Sequence, residues 1–239
     1  MDNTVNCACL IHGDVYEWQY VEKLYSMLKR NISYPVRLHV FTEPERPVPA
    51  EFVKHDLTIW DGVSGPKKSW WYKVQMFDRK HFAGKLLYFD LDVVITGNLD
   101  WILACNPQYL WAIRDFKHLW RPQWNGINSS MMYWDTMQYH RVWKNFSKGD
   151  IKEIMRRFPG DQDYISNTVD FKQFRFFDPQ KIVSWRWQAK DGGMSFEGSR
   201  HYARPDAGTV LPQGCNVMIF HGSPKPHQVN DPIINGYWV

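Results

Sequence analysis

Apolar residues along the first hundred positions follow two different periods. Apolar runs of strand length cover four segments, residues 5–11, 36–41, 57–60 and 86–95. Between these runs, residues 17–29 and 69–82 carry apolar side chains three or four positions apart, which is typical of helices that bury one face. A β-α-β-β-α-β order of this kind favours a mostly parallel sheet covered by helices, the architecture of nucleotide-binding α/β domains.

The pattern is less regular in the second part of the chain. Residues 130–134 and 216–220 are predicted strands, and residues 136–146 and 151–158 are predicted helices. The chain contains no internal repeat, no low-complexity tract and no linker-like stretch. The sequence therefore predicts a single domain over residues 1–239.

Charge and composition narrow the range of partners. Lys and Arg together number 29 and Asp and Glu 25, so the net charge is +4. No basic run alternates with aromatic residues, and we therefore expect no nucleic-acid partner. Aromatic residues make up 16% of the chain, with 13 Trp, which is a high share. Such rings either build the core or stack on the flat apolar faces of sugars.

The cysteines and the N-terminus bear on the compartment. Cys7 and Cys9 lie two positions apart on a predicted strand and would point to one face, as small core residues in a reducing environment. None of the cysteines forms a CxxC pair, which gives little support to a thiolate zinc site. The N-terminus is polar, and no apolar run approaches the roughly 18 residues of a membrane span. These features predict a cytoplasmic protein without a transmembrane segment.

Two aspartates interrupt the most apolar strand of the chain. Asp90 and Asp92 come at the end of the run Leu86–Phe89, where open α/β sheets bind their ligands. Buried carboxylates are costly unless a cation or several donors accompany them. Magnesium or manganese bound to a diphosphate suits such oxygen ligands. A capped turn, or an ion pair with Arg or Lys, explains the pair of aspartates equally well.

A phosphatase is a more specific alternative, because it assigns a catalytic role to each of the two aspartates. The string FDLDxV resembles the first motif of haloacid-dehalogenase-type phosphatases, in which Asp90 would be the nucleophile and Asp92 the general acid/base. Those enzymes usually have Gly where Val93 stands, and their motif lies close to the N-terminus. No later lysine and acidic pair completes the set.

The flanks of the two aspartates carry a wider resemblance. Residues 69–102 read SWWYKVQMFDRKHFAGKLLYFDLDVVITGNLDWI and resemble the central block of glycogenin-like, family-8 glycosyltransferases. In that family a helix with the pattern K-x-x-x-[WF] leads into hhhhDxDxhhhxxhD. The residues in the matching positions are Lys73, Phe77, Asp90, Asp92 and Asp100.

Three further blocks follow in the order of that family. INSSMMYW (127–134) is similar to its N-S-G strand, with Ser130 in place of the usual Gly. GDQDYISN (160–167) is similar to its G-D-Q block, and VMIFHGSPKPH (217–227) to its hhHhxGxxKPW block, with His227 where Trp is common. A Trp-rich stretch at 117–125 has no counterpart in the family pattern, and it leaves the sugar and the acceptor open.

The resemblance implies a GT-A fold and a retaining transfer from a UDP-sugar. In this fold a Rossmann-like, mostly parallel central sheet is flanked by helices, with a smaller acceptor-side subsheet. Residues 1–100 would form the nucleotide-binding half and residues 101–239 the acceptor-side half, and the irregular stretch 184–213 would serve as a lid.

The implied site residues fall into three sets. The metal, Mn2+ or Mg2+, would be held by Asp90, Asp92 and His221. The catalytic residues would be Lys73, Asp161 and Gln162. The residues that bind the nucleotide-sugar would be His12, Asp14, Tyr16, Lys73, Leu91, Asn128, Ser129, Gly222 and Lys225.

The sequence therefore predicts a metal-dependent hexosyltransferase that acts on a glycan, a lipid-linked or another hydroxyl acceptor. Contact with a membrane would come only through that acceptor. The alternatives are the phosphatase and a non-catalytic module that binds sugar nucleotides or carbohydrates. Self-glycosylation would need a homodimer that presents a tyrosine to its neighbour, and none of the 12 Tyr is singled out. The candidates for a saccharide platform are Trp111, Trp120, Trp124, Trp185 and Trp187, although a core role suits most of them as well.

Overall fold

The computed structural model describes residues 3–64, 68–190 and 208–239. Within them the strands are β1 (Val5–Leu10), β2 (Val36–Thr42), β3 (Val53–Asp56), β4 (Lys85–Phe89), β5 (Val93–Ile95), β6 (Leu110–Arg114), β7 (Ile127–Asp135), β8 (Phe174–Phe176), β9 (Ile182–Ser184) and β10 (Val217–Ile219). The α-helices are α1 (Gln19–Asn31), α2 (Asp100–Leu103), α3 (Thr136–Lys148), α4 (Ile151–Arg157), α5 (Asp161–Thr168) and α6 (Pro232–Tyr237).

Shorter helical segments connect these elements. The 3-10 helices cover Ser69–Phe77, Phe116–Leu119, Phe171–Gln173 and Pro226–Gln228, and a π-helix covers Trp185–Ala189. Among the described residues, no helix combines the length and the apolar composition that a bilayer crossing requires.

A large sheet of seven strands forms the centre of the molecule, in the order β3-β2-β1-β4-β7-β6-β8. The pairs β1–β2, β1–β4, β2–β3 and β6–β8 are parallel, and β7 runs antiparallel to both of its neighbours. The predicted α/β class, with a mostly parallel central sheet flanked by helices, is confirmed.

Burial on both faces explains the continuous apolar character of the central strands. In β1, Cys7 and Cys9 belong to one hydrophobic cluster, while Ala8 between them belongs to the cluster on the opposite face. The two cysteines are free thiols without exposed surface, as expected of small core residues. Helix α1 covers the first face with Val21, Leu24 and Leu28, in agreement with the predicted helical period.

A small sheet of three strands, β5-β10-β9, forms the predicted second sheet. Strand β10 is antiparallel to β5 and parallel to β9, with Ile219 opposite both Val93 and Ser184. This register brings the residues after β10 next to the residues before β5. The two sheets are therefore joined by the short segment that contains Asp90 and Asp92.

Three of the predicted elements are wrong in place or type. The third strand is Val53–Asp56, and residues 57–60 lie outside the sheet, where Leu57 is buried and Trp60 stacks on Tyr72. The apolar run 57–60 therefore reflects packing of a loop. The predicted helix 69–82 is a 3-10 helix that ends at Phe77.

The run 86–95 is two strands rather than one. After Phe89 the chain leaves the large sheet, and from Val93 it pairs with β10 of the small sheet. Of the proposed lid, residues 184–190 and 208–213 are described and residues 191–207 lie outside the described part of the chain.

Candidate active site

The candidate site lies where the strands of both sheets end. Strands β1 and β4 run parallel, so the turns that follow them open at one edge of the large sheet. Strand β7 is antiparallel to β4 and starts at that edge, with Met131 opposite Phe89. Helix α5 supplies Asp161, and the loop after β10 supplies His221 to Lys225. Side chains far apart in the sequence therefore converge here.

Asp90 is the first carboxylate of the site, directly after β4. Its backbone N–H donates to the carbonyl of Ser130 over 2.7 Å, which continues the pairing with β7 by one residue. The Lys73 ammonium lies 2.8 Å from Asp90 Oδ1, and the Tyr88 hydroxyl donates to the same oxygen. Asp90 is thus held by the 3-10 helix, by its own strand and by the neighbouring strand.

Lys73 connects Asp90 to a second carboxylate, that of Asp161. Lys73 Nζ donates to Ser129 Oγ over 3.1 Å, and Ser129 Oγ donates to Asp161 Oδ2 over 2.7 Å. The direct distance from Lys73 Nζ to Asp161 Oδ2 is 3.8 Å. Lys73 is only 6% exposed and Asp161 only 4%. One buried cation therefore serves the buried carboxylate of Asp161 and the partly buried carboxylate of Asp90, which offsets the cost of burying these charges.

The pKa values of Lys73, Asp90 and Asp161 depend on the contacts that the lysine makes with both carboxylates. Burial alone would raise the pKa of Asp90, but Lys73 and the hydrogen bonds from Lys73, Tyr88 and Ser130 hold it below its ordinary value. Burial raises the pKa of Asp161, and Lys73 and Ser129 offset that effect only in part. For Lys73, burial lowers the pKa, but Asp161 and Asp90 outweigh it, so the ammonium stays charged.

Asp92 has a separate set of partners on the side of the small sheet. The Tyr16 hydroxyl, from the turn after β1, donates to Asp92 Oδ2 over 2.9 Å. The Lys225 ammonium donates to the same oxygen, and it also lies 5.6 Å from the centre of the Tyr16 ring. Burial, followed by the charges of Asp92 and Asp90, raises the pKa of Tyr16, which keeps its hydroxyl protonated as a donor.

His221 follows β10 and packs among aromatic rings. Its Nε2 lies 2.7 Å from Ser184 Oγ, and its ring centre lies 4.3 Å from that of Trp187 and 5.4 Å from that of Phe116. Burial, with smaller contributions from Arg186 and Lys225, lowers the pKa of His221 to about 3. The imidazole is therefore neutral near pH 7, which is the form that binds metal ions.

Gly222 allows the chain after His221 to lie against a buried guanidinium. Its φ of 80° is in the left-handed region, and a Cβ at this position would lie 2.7 Å from Arg186 Nη2. Arg186 also donates to the carbonyl of Ser223. Arg186, on the π-helix, therefore fixes the path of the loop from His221 to Lys225.

A further ion pair fixes the turn after β1. The Glu43 carboxylate accepts from the Gly13 backbone N–H over 2.5 Å, and Arg46 donates to the Gly13 carbonyl over 2.7 Å. The Arg46 Nε to Glu43 Oε2 distance is 2.9 Å. His12, on the same turn, packs against Tyr72 with the rings tilted and their centres 4.3 Å apart, and Asp14 is exposed to solvent.

Most of the remaining predicted residues lie around this site with different roles. Leu91 is only 2% exposed and belongs to the core. Asn128 accepts from the Ser130 N–H over 3.0 Å. Gln162 is half-buried on the first turn of α5, which begins at Asp161 with Gly160 as N-cap. Asp100 lies away from this site, at α2, where it accepts from the N–H of Ser33 just before β2 begins.

The donor types at the site suit a divalent cation, although the three predicted ligands are not assembled into one group. Two carboxylates and a neutral imidazole are the ligands that Mn2+ accepts, and two carboxylates suit Mg2+. In the described ranges, no three His, Cys, Asp or Glu side chains come together as a metal-binding group. Asp90 contacts Lys73, Asp92 contacts Lys225, and His221 contacts Ser184. The metal site of Asp90, Asp92 and His221 stays a prediction.

Some contributors to the site were missed in the sequence. Tyr88 lies two residues before Asp90 on the same face of the strand, and the period of two was a usable signal for it. Glu43 and Arg46 follow β2, at the edge where the parallel strands end, and this position after a predicted strand could have indicated that they belong to the site. Arg186 gave no signal, because it lies in a stretch without a recognisable period.

The candidate platform tryptophans separate into three groups. Trp185 is only 1% exposed and stacks on Phe220 in the core, which excludes it as a platform. Trp111 lies against Phe177, and its Nε1 donates to the carbonyl of Asn106. Trp120, Trp124 and Trp187 are half-buried near His221 or on the connection between β6 and β7.

Comparisons with known proteins bear on the fold. No protein-family model and no curated protein matches the sequence. An active-site mutant of LgtC superimposes with a TM-score of 0.65 at 12% identity, over 98% of this chain and 94% of that one. The galactosyltransferase LgtC in complex with donor and acceptor sugar analogues gives a TM-score of 0.59 at 13% identity, over 93% and 89%. Mouse xyloside xylosyltransferase 1 gives 0.50 at 12% identity, over 76% and 87%. The chain therefore has the GT-A fold of these glycosyltransferases.

Proposed function

We propose that the protein is a glycosyltransferase that moves a hexose from a UDP-sugar to a hydroxyl acceptor, with retention of the anomeric configuration. The observation that carries the proposal is the pair Asp90 and Asp92 at the junction of the two sheets, each held by a lysine from a different element. The GT-A fold makes this edge the natural place for a nucleotide-sugar.

The proposed metal is Mn2+ or Mg2+, held by Asp90, Asp92 and His221. When bound, it neutralises the diphosphate of the donor and stabilises its departure. Its binding requires Lys225 to move from Asp92 toward the phosphates. Lys225 is part-exposed on the loop after β10 and has the freedom for this movement, whereas Lys73 is buried between two carboxylates and stays in position.

The other predicted residues have roles that follow from their location. Tyr16 and His12 line the turn after β1 and would contact the nucleoside. The backbone of Leu91 and the polar groups of Asn128 and Ser129 would contact the ribose or the sugar. Asp14 is exposed at the rim of the turn. The backbone of Gly222 would approach the phosphates, which its lack of a side chain permits.

The chemical step is a displacement at the anomeric carbon. The bond from C1 to the diphosphate oxygen breaks, the acceptor oxygen bonds to C1 from the same face, and the acceptor proton passes to the departing phosphate oxygen. Asp161 and Gln162 would stabilise the positive charge that develops on the sugar. Catalysis is then mainly electrostatic stabilisation and positioning by fixed groups.

Thermal-shift measurements with UDP, GDP and Mn2+, followed by an assay of donor hydrolysis, test the proposal. We expect UDP to raise the melting temperature only when Mn2+ is present, and UDP-sugar to be hydrolysed slowly without an acceptor. Hydrolysis of simple phosphomonoesters with a phosphoaspartate at Asp90 would instead identify a phosphatase. Binding of UDP or a glycan without any turnover would identify a binding module.

A further inference from the structure

The connection between β6 and β7, residues 115–126, carries aromatic side chains beside the candidate site. Trp120 and Trp124 lie on this connection, and Trp187 lies on the π-helix opposite it. All three are half-buried, unlike the core residue Trp185. We call Trp120, Trp124 and Trp187 the aromatic wall. Half-burial leaves part of each indole accessible to a ligand.

The aromatic wall adjoins the residues proposed for the donor. Trp187 and Trp120 are in edge contact, with ring centres 4.4 Å apart, and Trp187 also packs against His221. The connection begins and ends at the edge where Asp90 lies, because Ile113 of β6 pairs with Asn128 of β7, next to Ser129. A ligand on the wall would therefore lie beside the residues proposed to bind the donor.

Polar groups are interleaved with these rings. Asp115 Oδ2 accepts from Trp124 Nε1 over 3.0 Å and lies 3.4 Å from the Lys117 ammonium. Lys117 also lies 4.7 Å from the centre of the Trp124 ring. Burial raises the pKa of Asp163 on α5, and the charges of Lys117 and Asp115 also act on this carboxylate. The wall thus combines ring faces with carboxylates and an ammonium within one small area.

This combination selects the class of ligand. A pyranose has an apolar face of C–H groups that stacks on indole, and hydroxyl groups at its edge that bond to carboxylates and ammonium groups. A lipid chain would need a continuous apolar surface, and Asp115, Lys117 and Asp163 interrupt it. We propose that the aromatic wall is the acceptor subsite and that it binds a pyranose ring of a saccharide acceptor. This inference rests on the glycosyltransferase activity proposed above.

The test uses the ratio of donor transferred to donor hydrolysed, measured with a UDP-sugar and a panel of oligosaccharides. Trp120→Ala and Trp124→Ala should lower this ratio by about 2- to 10-fold each, the effect of one lost ring contact. Trp120→Phe should recover part of the loss. Trp111→Ala is the matched control, because Trp111 is an equally half-buried indole that contacts Phe177 instead. Melting temperatures establish that each variant is folded.

The outcomes distinguish the two proposals. A ratio that is unchanged in Trp120→Ala and Trp124→Ala, or that falls equally in Trp111→Ala, overturns the acceptor subsite. A loss confined to a prenyl-phosphate-linked acceptor overturns the saccharide assignment. Absence of hydrolysis in the unaltered protein overturns the glycosyltransferase and leaves the subsite to a binding measurement. In that case, saturation-transfer NMR with the oligosaccharides should show contacts that Trp120→Ala abolishes, and equal signals in both proteins would overturn the subsite.

Discussion

The two sides of the candidate site are built on different physical principles. On one side, Lys73, Asp90, Ser129 and Asp161 form a buried chain of short polar contacts, which we call the ionic wall. On the other side, the aromatic wall is made of half-buried rings from one connection and one π-helix. The ionic wall draws on four separate elements, and its groups are already oriented in the folded chain. Such fixed dipoles and charges stabilise a transition state without reorganisation.

The two walls should also differ in how well they tolerate amino-acid substitutions. A buried charge network is lost as a unit, because removing one partner leaves the others uncompensated. Ring contacts on a part-exposed surface are weak individually, and no buried charge is left uncompensated when one is lost. We therefore expect substitutions in the ionic wall to affect folding and turnover together, and substitutions in the aromatic wall to affect only the choice of acceptor.

Lys73→Met should have the largest effect, because it leaves the buried Asp161 and the partly buried Asp90 without a cation. We expect the free energy of unfolding at neutral pH to fall by about 3–5 kcal/mol. Chemical denaturation measures this loss, with Lys85→Met as control, since Lys85 is exposed at the start of β4. Adding Asp161→Asn should restore part of the stability. Equal stability of the Lys73 and Lys85 variants would contradict the ionic wall.

Gly222→Ala tests the loop between the two walls. Two effects add here, the cost of about 1–2 kcal/mol for a left-handed Ala and the collision with Arg186. Gly214→Ala is the matched control, because Gly214 has a φ of 81° and open space around its Cα. We expect donor hydrolysis to fall by about tenfold or more in Gly222→Ala only, through displacement of Lys225. If both variants behave alike, backbone strain alone is responsible and Arg186 does not position the loop.

Buried histidines outside the two walls make the stability of the fold depend on pH. His39 and His55 lie in β2 and β3, with 2.8 Å between His39 Nδ1 and His55 Nε2. Burial, together with neighbouring positive groups, lowers the pKa of His39 to about 4 and that of His55 to about 4. Below pH 6.5 the unfolded chain takes up protons that the folded chain does not bind. Unfolding free energy should therefore decrease as the pH falls from 6.5 to 4, by on the order of 2 kcal/mol.

Chemical denaturation at several pH values measures this decrease. His39→Gln should reduce this decrease only in part, because burial also lowers the pKa of His55 and of His221, and both contribute in the same direction. Comparisons of the two walls are then cleanest above pH 6.5. An identical slope in the His39 variant would show that other groups are responsible.

Ser129→Ala should have the smallest effect on the ionic wall. It removes one hydroxyl that donates to Asp161 and accepts from Lys73, and leaves the two charges 3.8 Å apart. We expect a loss of about 1 kcal/mol in the free energy of unfolding. A loss as large as that in Lys73→Met would mean that the hydroxyl, rather than the cation, holds the wall together.

Much of the fold and of the ionic wall could be predicted from the sequence. Continuous apolar runs indicate β1 and β7, because both faces of these strands are buried. Helical spacing indicates α1 and α3, because each buries one face. The motif blocks singled out Lys73, Asp90, Ser129 and Asp161, and the structure brings these four together. Asp92, Tyr16 and Lys225 likewise meet.

Other features depended on tertiary pairing that no local pattern records. The run 86–95 splits because its second part finds β10 as a partner, and a periodic apolar run contains no sign of that change of sheet. Trp185 and Trp187 are two residues apart, yet one is core and the other half-buried, because the π-helix turns them to different sides. Trp content alone could not separate core rings from the aromatic wall.

The measurement that tests the central claim most directly is the Mn2+-dependent hydrolysis of UDP-sugar by Asp92→Ala. Asp56→Ala is the matched control, because Asp56 is exposed at the end of β3 and pairs with Lys54. If Asp90 and Asp92 hold the metal and its diphosphate, Asp92→Ala should lose metal-dependent hydrolysis while Asp56→Ala retains it. Undiminished hydrolysis in folded Asp92→Ala would contradict the account.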